Sequence, residues 1–206
     1  MDILDVGCGG GSFLSVVKAM GANIQGIEPN EYAYKACIEA GLPVFNGMLN
    51  DYIAKPNNNK KFDVITSNHV VEHHPDPKQL IKEMIKLLKL DGRIWFCVPN
   101  FGCSWAGSLT RKWYPIHLPY HLHHFTISSV EELASQTGLE ISSLKTEELP
   151  RALHQSIRTW LRVKLFIPHK ISGLFSFLLA PLSDWLAPRM DKKSNGQAII
   201  VELKIK

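Results

Sequence analysis

The sequence has few cysteines and little net charge, and both shortages limit what the protein can be. Its 206 residues include four cysteines, and none of them forms a C-x-x-C pair. This usage is typical of reduced thiols in a cytoplasmic protein and not of a disulfide framework. The formal net charge of +4 is too small to favour a nucleic-acid partner. No apolar run approaches the roughly 20 residues that span a bilayer.

Two common glycine-rich ligand motifs are also missing. No G-K-[ST] follows the first glycines, which excludes a Walker-type phosphate loop. The dinucleotide fingerprint G-x-G-x-x-G is absent because Ser12 stands in the place of its third glycine. The sequence has instead D-x-G-x-G-x-G, from Asp5 to Gly11, directly after the apolar residues 3–6. Glycines let the backbone approach a ligand, and a following helix offers free N–H groups. We therefore expect a ligand site here.

Predicted strands and helices alternate through residue 99. Buried strands are predicted at residues 3–6, 23–27, 42–47, 62–68 and 93–99. Amphipathic helices are predicted at residues 12–20, 30–40 and 77–90, with a turn at Asp91-Gly92. This alternation is typical of parallel βαβ units with right-handed crossovers. The fold class predicted is α/β, a doubly wound, Rossmann-like sheet.

The alternation ends after Pro99. Residues 100–125 are rich in aromatics, histidine, glycine and proline, and residues 128–136 and 139–144 predict a helix and a strand. Residues 151–190 form a Trp/Leu/Phe-rich helical stretch, and residues 197–205 alternate as a last strand. We predict a core over residues 1–150, a helical insert over 151–190, and the core's final strand within 191–206.

An acidic residue ends the second predicted strand. Glu28 follows Gly7 by 21 residues, counted along the printed sequence. In doubly wound folds a carboxylate at this place accepts hydrogen bonds from a ribose diol. Together with the glycine loop, it predicts a ligand that contains a nucleoside.

Five segments of the chain carry a resemblance to a known family. They are ILDVGCGGGSFL, GIEPN, FDVITSNHVVEHHPDP, LKLDGRIWFCVPN and YHLHHFT, spread over residues 2–145. They resemble the class I S-adenosylmethionine-dependent methyltransferases, in particular the group with quinone-pathway O-methyltransferases and small-molecule methyltransferases. The resemblance implies a seven-stranded sheet whose last strand is antiparallel, and S-adenosylmethionine as cofactor with S-adenosylhomocysteine as product.

The resemblance also implies which residues bind the cofactor. They are Asp5, Gly7, Cys8, Gly9, Gly11, Glu28, Pro29, Asn50 and Asn68. The chain departs from the family pattern in two places. Met48 stands where the family usually has an Asp that contacts the adenine amine. The first predicted strand begins at Ile3, so we expect the family's N-terminal lid helices to be absent, which would leave the site open to water.

The catalytic prediction is based on histidines. Methyl transfer to a hydroxyl requires alignment of the nucleophile and removal of its proton. Seven of the nine histidines lie between positions 69 and 124, and histidine titrates near neutral pH. The residues predicted to be catalytic are His69, His73, His121, His123 and His124. The acceptor is predicted to be a small molecule with a hydroxyl group, lipid-like compounds and sugars included.

Two other functions remain open at this stage. The H-x-x-E-H pattern from His69 to His73 resembles part of the metal site in plant small-RNA 2′-O-methyltransferases, although a histidine replaces the first glutamate. A metal-assisted RNA 2′-O-methyltransferase is therefore one alternative, against which the weak basicity argues; the prediction assigns no metal ligand. A non-catalytic binding subunit with this fold is the other.

The 151–190 segment predicts a further contact. Arg151, Arg158 and Arg162 lie on one side of a helical projection, and apolar residues follow. A basic amphipathic helix of this kind can lie on a membrane surface. A helical cap on the core and a homodimer interface are the alternatives. Peripheral membrane contact by a cytoplasmic protein is thus one prediction for this segment.

Overall fold

A seven-stranded sheet organises the chain in a computed structural model, which describes residues 1–56, 58–109, 113–147, 156 and 195–206. The strand order is β3-β2-β1-β4-β5-β7-β6. The strands are β1 (Asp2–Val6), β2 (Asn23–Glu28), β3 (Val44–Asn46), β4 (Phe62–Asn68), β5 (Leu88–Pro99), β6 (Leu139–Glu147) and β7 (Ala198–Ile205). The helices are α1 (Ser12–Ala19), α2 (Glu31–Glu39), α3 (Leu49–Ile53), α4 (Pro77–Leu87), α5 (Ser104–Leu109) and α6 (Ile127–Gln136). Short 3₁₀ turns cover Val71–His73 and Tyr114–Ile116.

The first five strands are parallel. β1 pairs with β2 on one side and with β4 on the other, and β3 and β5 continue the sheet outward. The strand order therefore reverses between β1 and β4. Ligands of open α/β sheets bind beyond the carboxyl ends of the strands at such a reversal. The glycine loop follows β1 at this point.

The last strand runs against its neighbour β5. Arg93 forms an ion pair with Glu202, and the Asn100 amide donates to the Gln197 carbonyl oxygen over 2.8 Å. From Arg93 to Asn100 the residue numbers increase along β5, while those of their partners on the last strand decrease from Glu202 to Gln197. The two strands are therefore antiparallel. The predicted antiparallel final strand and the seven-stranded Rossmann-like sheet are confirmed.

The chain divides into two units. The first contains Met1–Cys97, Glu131–Ser143 and Val201–Lys206, and the second contains Val98–Val130 and Leu144–Ile200. The core of the first unit is built on the apolar strand positions, with Leu4, Ile65 and Ile94 fully buried. In the second unit, Cys103, Ala106 and Trp113 form a buried cluster.

The caps explain where two helices begin. The Asn30 side chain accepts hydrogen bonds from the backbone amides of Tyr32 and Ala33, so α2 begins at the next residue after it. The Asp76 side chain accepts from the Gln79 amide, and Pro77 occupies the first turn of α4. Both starts lie within one residue of the prediction.

Residues 88–92 differ from their prediction. Helix α4 ends at Leu87, and residues 88–90, predicted as helix, and the turn at 91–92 all belong to β5. Leu88 pairs with Phe62 while Arg93 pairs with Val64, so the strand contains an irregularity between these points. Leu88 is buried, and an apolar residue at this spacing satisfies a helix pattern as well as a strand pattern. Helix α3 was not predicted because its five residues are too few to show a period.

The predicted insert over 151–190 lies outside the described residues except for Ser156, as do the predicted boundaries at 150 and 190. Among the described residues, no helix is both long enough and apolar enough to cross a membrane.

Candidate active site

The glycine loop turns sharply back onto β2. The amides of Gly7 and Cys8 both donate to the carbonyl oxygen of Ile27, over 2.8 and 3.1 Å. Gly7 has φ +74°, and a Cβ built there would lie 2.3 Å from Cγ2 of Val70. Gly11 has φ +77°, and its Cβ would lie 2.3 Å from Cδ1 of Leu42. Because side chains fit neither the dihedral angle nor the space, these two positions require glycine.

Glu28 is held by the loop that it faces. Its side chain is buried, with Oε2 accepting from the Gly9 amide and Oε1 from the Asn30 amide, each over 2.8 Å. A carboxylate oxygen has two lone pairs, so each oxygen keeps one for a further donor. The carboxylate is therefore fixed in place and can still accept hydrogen bonds from the hydroxyls of a ligand.

Glu28 lines the larger of two cavities beside the loop. This first cavity has a volume of about 550 Å³. It contains five of the predicted cofactor-binding or catalytic residues besides Gly7: Glu28, Pro29, Asn50, His69 and His73. Apolar side chains, among them Ile27, Met48 and Val70, form much of its wall. The cavity offers a flat apolar ligand group an enclosing surface and places one carboxylate within it.

The second cavity, of about 330 Å³, is also lined by residues of the glycine loop. The predicted residues that line it are Asp5, Gly7, Cys8, Gly9 and Asn68. Gly7 lines both cavities. One elongated ligand could thus occupy both. Gly11 lines neither cavity and acts instead as the N-cap residue of α1.

Asp5 is a buried carboxylate in the second cavity. Only 4% of the residue is exposed, and Thr66 Oγ1 donates to its Oδ1 over 2.7 Å. Burial raises the pKa of Asp5 to about 6; the hydrogen bond from Thr66 lowers it, and the charge of Glu28 raises it further. Asp5 is therefore mostly ionised at neutral pH, and a ligand cation beside it would favour the ionised form.

The thiols of Cys8 and Cys37 lie beside the glycine loop. Cys37 Sγ donates to the Gly9 carbonyl oxygen over 3.2 Å, and Cys8 packs in the same apolar cluster. Burial raises the pKa of both thiols, which makes them poor nucleophiles. All four cysteines are free and buried, as expected for a chain without a disulfide framework.

His69 follows β4 in a strained conformation. Its φ is +55°, and its Nδ1 lies 3.1 Å from Oε1 of Glu72, which is fully buried. Hydrogen bonds with the Cys97 side chain and with Glu72 raise the pKa of His69 to about 10. These hydrogen bonds favour the protonated ring, and the catalytic role predicted for His69 stays a prediction. His73 lines the same cavity.

The other three predicted histidines lie in the second unit. His121 is buried, with its Nδ1 2.8 Å from the Pro115 carbonyl oxygen. The His124 ring stacks on Phe101 with centroids 5.0 Å apart, and the His123 ring lies 6.2 Å from that of Phe125. These contacts give each ring a structural role in its own unit, and their catalytic role stays a prediction.

The sequence did not identify Thr66, Trp95 or Gly10 as site residues, although all three line the second cavity. Thr66 pairs with Asp5 in the ladder between β1 and β4. That pairing depends on strand register, which an isolated sequence does not contain. Gly10 could have been identified, since it lies within the same run of glycines.

Comparison with known proteins gives one family and a consistent fold. A family model described as a methyltransferase domain matches residues 1–144. A ubiquinone biosynthesis O-methyltransferase of Actinobacillus pleuropneumoniae is 38% identical over 106 residues, which are 48% of this chain and 45% of that protein. One of Idiomarina loihiensis is 28% identical over 148 residues, 67% of this chain and 61% of that protein. The chain spans about half the length of the curated relatives it matches.

Solved structures show the same fold. A SAM-dependent methyltransferase from Archaeoglobus fulgidus has a TM-score of 0.62 at 19% identity, over 98% of this chain and 85% of that one. The plantazolicin methyltransferase BpumL, in complex with a pentazolic desmethylPZN analog and SAH, has a TM-score of 0.63 at 18% identity, over 100% of this chain and 77% of that one.

Proposed function

The chain belongs to the class I S-adenosylmethionine-dependent methyltransferase family, and we propose that it transfers a methyl group from S-adenosylmethionine to a small-molecule acceptor. The observation that carries the proposal is the position of Glu28. It ends β2, is fixed by two backbone amides, and faces a cavity large enough for a nucleoside. A carboxylate in this position accepts hydrogen bonds from both hydroxyls of a ribose.

The two cavities fit the two ends of such a cofactor. The first cavity would hold the adenosine, with its ribose on Glu28 and its adenine between Met48, Asn50 and Val70. The second cavity would hold the amino-acid end, whose ammonium group would pair with ionised Asp5. Gly7, which lines both, would lie against the sulfonium end of the ribose, where only a residue without a side chain fits.

The bound cofactor would supply an electrophilic methyl group, and this chain's own residues would align the acceptor with it. Such alignment can supply a large part of the rate of an in-line displacement. His73, at the first cavity, is the candidate for accepting the proton of an acceptor hydroxyl. His121, His123 and His124 remain candidates for acceptor contacts. An oxygen acceptor is favoured because the matched relatives are named O-methyltransferases.

Two further parts of the proposal concern residues 151–190. Their basic and apolar composition supports contact with a membrane surface or with a lipid-like acceptor. A homodimer formed through this segment is the alternative. Flotation of the full chain with phosphatidylglycerol vesicles tests the membrane contact, and sedimentation of the same preparation tests the dimer.

Turnover tests the proposed activity. The full chain is incubated with S-adenosylmethionine and a panel of phenols, catechols and aliphatic alcohols, and both S-adenosylhomocysteine and methylated acceptor are measured by mass spectrometry. We expect the two products in equal amounts, with a lower rate for His73→Asn. Tight binding of S-adenosylhomocysteine without turnover of any acceptor would favour the non-catalytic binding subunit instead.

A further inference from the structure

Three residues that line the second cavity come from one row across the sheet. Asp5 of β1 pairs with Thr66 of β4, and Thr66 pairs with Trp95 of β5. Paired residues point to the same face of a sheet, and all three line the second cavity. Gly26 of β2, which pairs with Asp5 on its other side, has no side chain. Within this row, Thr66 is therefore the neighbour of Asp5 that can donate a hydrogen bond from its side chain.

The hydroxyl of Thr66 is directed at the Asp5 carboxylate. Its Oγ1 lies 2.7 Å from Oδ1 of Asp5, whereas the carbonyl oxygen of Leu4, another acceptor for this hydroxyl, is 3.4 Å away. A hydroxyl has one proton to donate, and the shorter distance is typical of a hydrogen bond to an ionised carboxylate. Thr66 and Asp5 are 6% and 4% exposed. Water therefore competes little for this bond.

The other oxygen of Asp5 remains available to a ligand. Oδ2 accepts no hydrogen bond from the residues that the structure describes, yet it is not sealed from solvent as Oε2 of Glu72 is. Because Asp5 lines the second cavity, this oxygen can accept from a donor placed there. The bond from Thr66 thus fixes the carboxylate through one oxygen and leaves the other free.

The charges around Asp5 make the Thr66 bond important. Burial raises the pKa of Asp5 to about 6, the hydrogen bond from Thr66 opposes this increase, and the charge of Glu28 on β2 adds to it. The thiols of Cys8 and Cys37 are the other titratable groups that interact with Asp5. In the described part of the chain, no lysine, arginine or histidine lines the second cavity. Thr66 is therefore the neighbour that favours the ionised form of Asp5 before a cation binds.

We propose that Thr66 is a positioning residue for the amino-acid end of the cofactor, and that its hydroxyl holds the Asp5 carboxylate in the orientation that receives an ammonium group. The inference deepens the proposed binding of S-adenosylmethionine and rests on it. Thr66 acts through Asp5, so it need not contact the cofactor itself. Its hydroxyl should therefore contribute to the affinity for a ligand that carries the ammonium group and not to the affinity for the adenosine part.

Two ligands that differ only in the amino group test this role. S-adenosylhomocysteine and its deaminated analogue, in which hydrogen replaces the amino group, are titrated calorimetrically into the full chain near neutral pH. We expect Thr66→Val to weaken binding of S-adenosylhomocysteine about tenfold and to bind the analogue about as tightly as the wild type does. Valine is β-branched like threonine but lacks the hydroxyl. Thr66→Ser keeps the hydroxyl and should restore most of the lost affinity.

Ser67→Ala is the matched control. Ser67 is the next residue on β4, is fully buried, and donates to the Val6 carbonyl oxygen over 3.3 Å, but it lines neither cavity. Its loss should leave the ratio of the two affinities as in the wild type. An equal loss of affinity for both ligands in Thr66→Val, or no recovery in Thr66→Ser, would overturn the inference and leave the proposed function standing. If the wild type binds neither ligand, the proposed cofactor site fails and this inference fails with it.

The pH dependence of binding gives a second readout. The hydrogen bond from Thr66 lowers the pKa of Asp5, so its removal raises that pKa. As pH falls, S-adenosylhomocysteine binding by Thr66→Val should therefore weaken at a higher pH than binding by the wild type, because Asp5 takes up its proton earlier. Thr66→Ser should follow the wild type. An unchanged pH profile in Thr66→Val would overturn the positioning role.

Discussion

The backbone amide of Gly9 donates a 2.8 Å hydrogen bond to Oε2 of Glu28. The bond joins the loop after β1 to the end of β2, and the carboxylate that receives it lines the first cavity. One side chain thus holds the shape of the glycine loop and faces the ligand space. Damage to Glu28 should therefore affect loop structure and ligand binding together.

Gly10 and Gly11 are neighbours with different surroundings, so an alanine at each position gives a variant and its control. Gly11→Ala should destabilise the chain by about 1–3 kcal/mol, because its Cβ would meet Leu42 and the Cys37 thiol at a positive φ. Gly10→Ala should be nearly neutral in stability, since nothing lies within 4 Å of its Cβ position. Urea denaturation followed by circular dichroism measures both. Equal stabilities would contradict the described packing.

The buried carboxylate of Asp5 should lower the stability of the folded state at neutral pH while it favours binding of the cofactor. Its pKa is raised from 3.8 to about 6, so the folded state holds the Asp5 proton more tightly than the unfolded state does. The contribution of Asp5 to the free energy of unfolding therefore decreases as pH rises from about 4 to 6, by roughly 1.4 kcal/mol for each pH unit. Asp5→Asn should therefore be more stable than the wild type by about 3 kcal/mol at pH 8, since the pKa of Asp5 is raised by about two units. It should lose that advantage near pH 4.

The same variant should bind the cofactor poorly, because an amide cannot neutralise the cofactor's ammonium group. Thermal unfolding at pH 4 and pH 8, with and without S-adenosylmethionine, separates the two effects. Wild-type binding should also weaken as pH falls below about 6, where Asp5 takes up its proton. A variant that is less stable at pH 8 would show that Asp5 contributes to folding.

Asn100 gives a prediction for the second unit. Its buried side chain donates to the Gly196 carbonyl oxygen over 2.8 Å and accepts from the Gly102 amide over 3.0 Å. Asn100→Ala leaves both partners without their bond, which should cost about 2–3 kcal/mol. Amide hydrogen exchange at Gly102 should accelerate in the variant. Gln136→Ala, which removes an exposed helix contact with Glu132, is the control and should change neither quantity.

Much of the first unit could be predicted because its signals are local. Short apolar runs identify β1 and β4, and the caps at Asn30 and Asp76 fix where α2 and α4 begin. The glycine run and the acid at the end of β2 are likewise readable, since their spacing follows from the strand–loop–helix geometry. The chain's family membership rests on the same segments.

The rest depends on what the fold brings together. The raised pKa of His69 follows from its hydrogen bonds with the Cys97 side chain and with Glu72, and Cys97 lies on β5, so no local sequence pattern contains this effect. The pairing of Thr66 with Asp5 depends on strand register. Leu88 suits a helix and a strand equally, and only its pairing with Phe62 decides between them.

Calorimetric titration with S-adenosylhomocysteine tests the central claim most directly. The full chain, Glu28→Ala, and the control Glu39→Ala at an exposed position of α2 are titrated under the same conditions. We predict micromolar binding by the wild type and by Glu39→Ala, and at least tenfold weaker binding by Glu28→Ala, because the ribose hydroxyls lose their acceptor. Equal affinity in all three proteins would contradict the assignment of Glu28, and the absence of binding by the wild type would contradict the cofactor site itself.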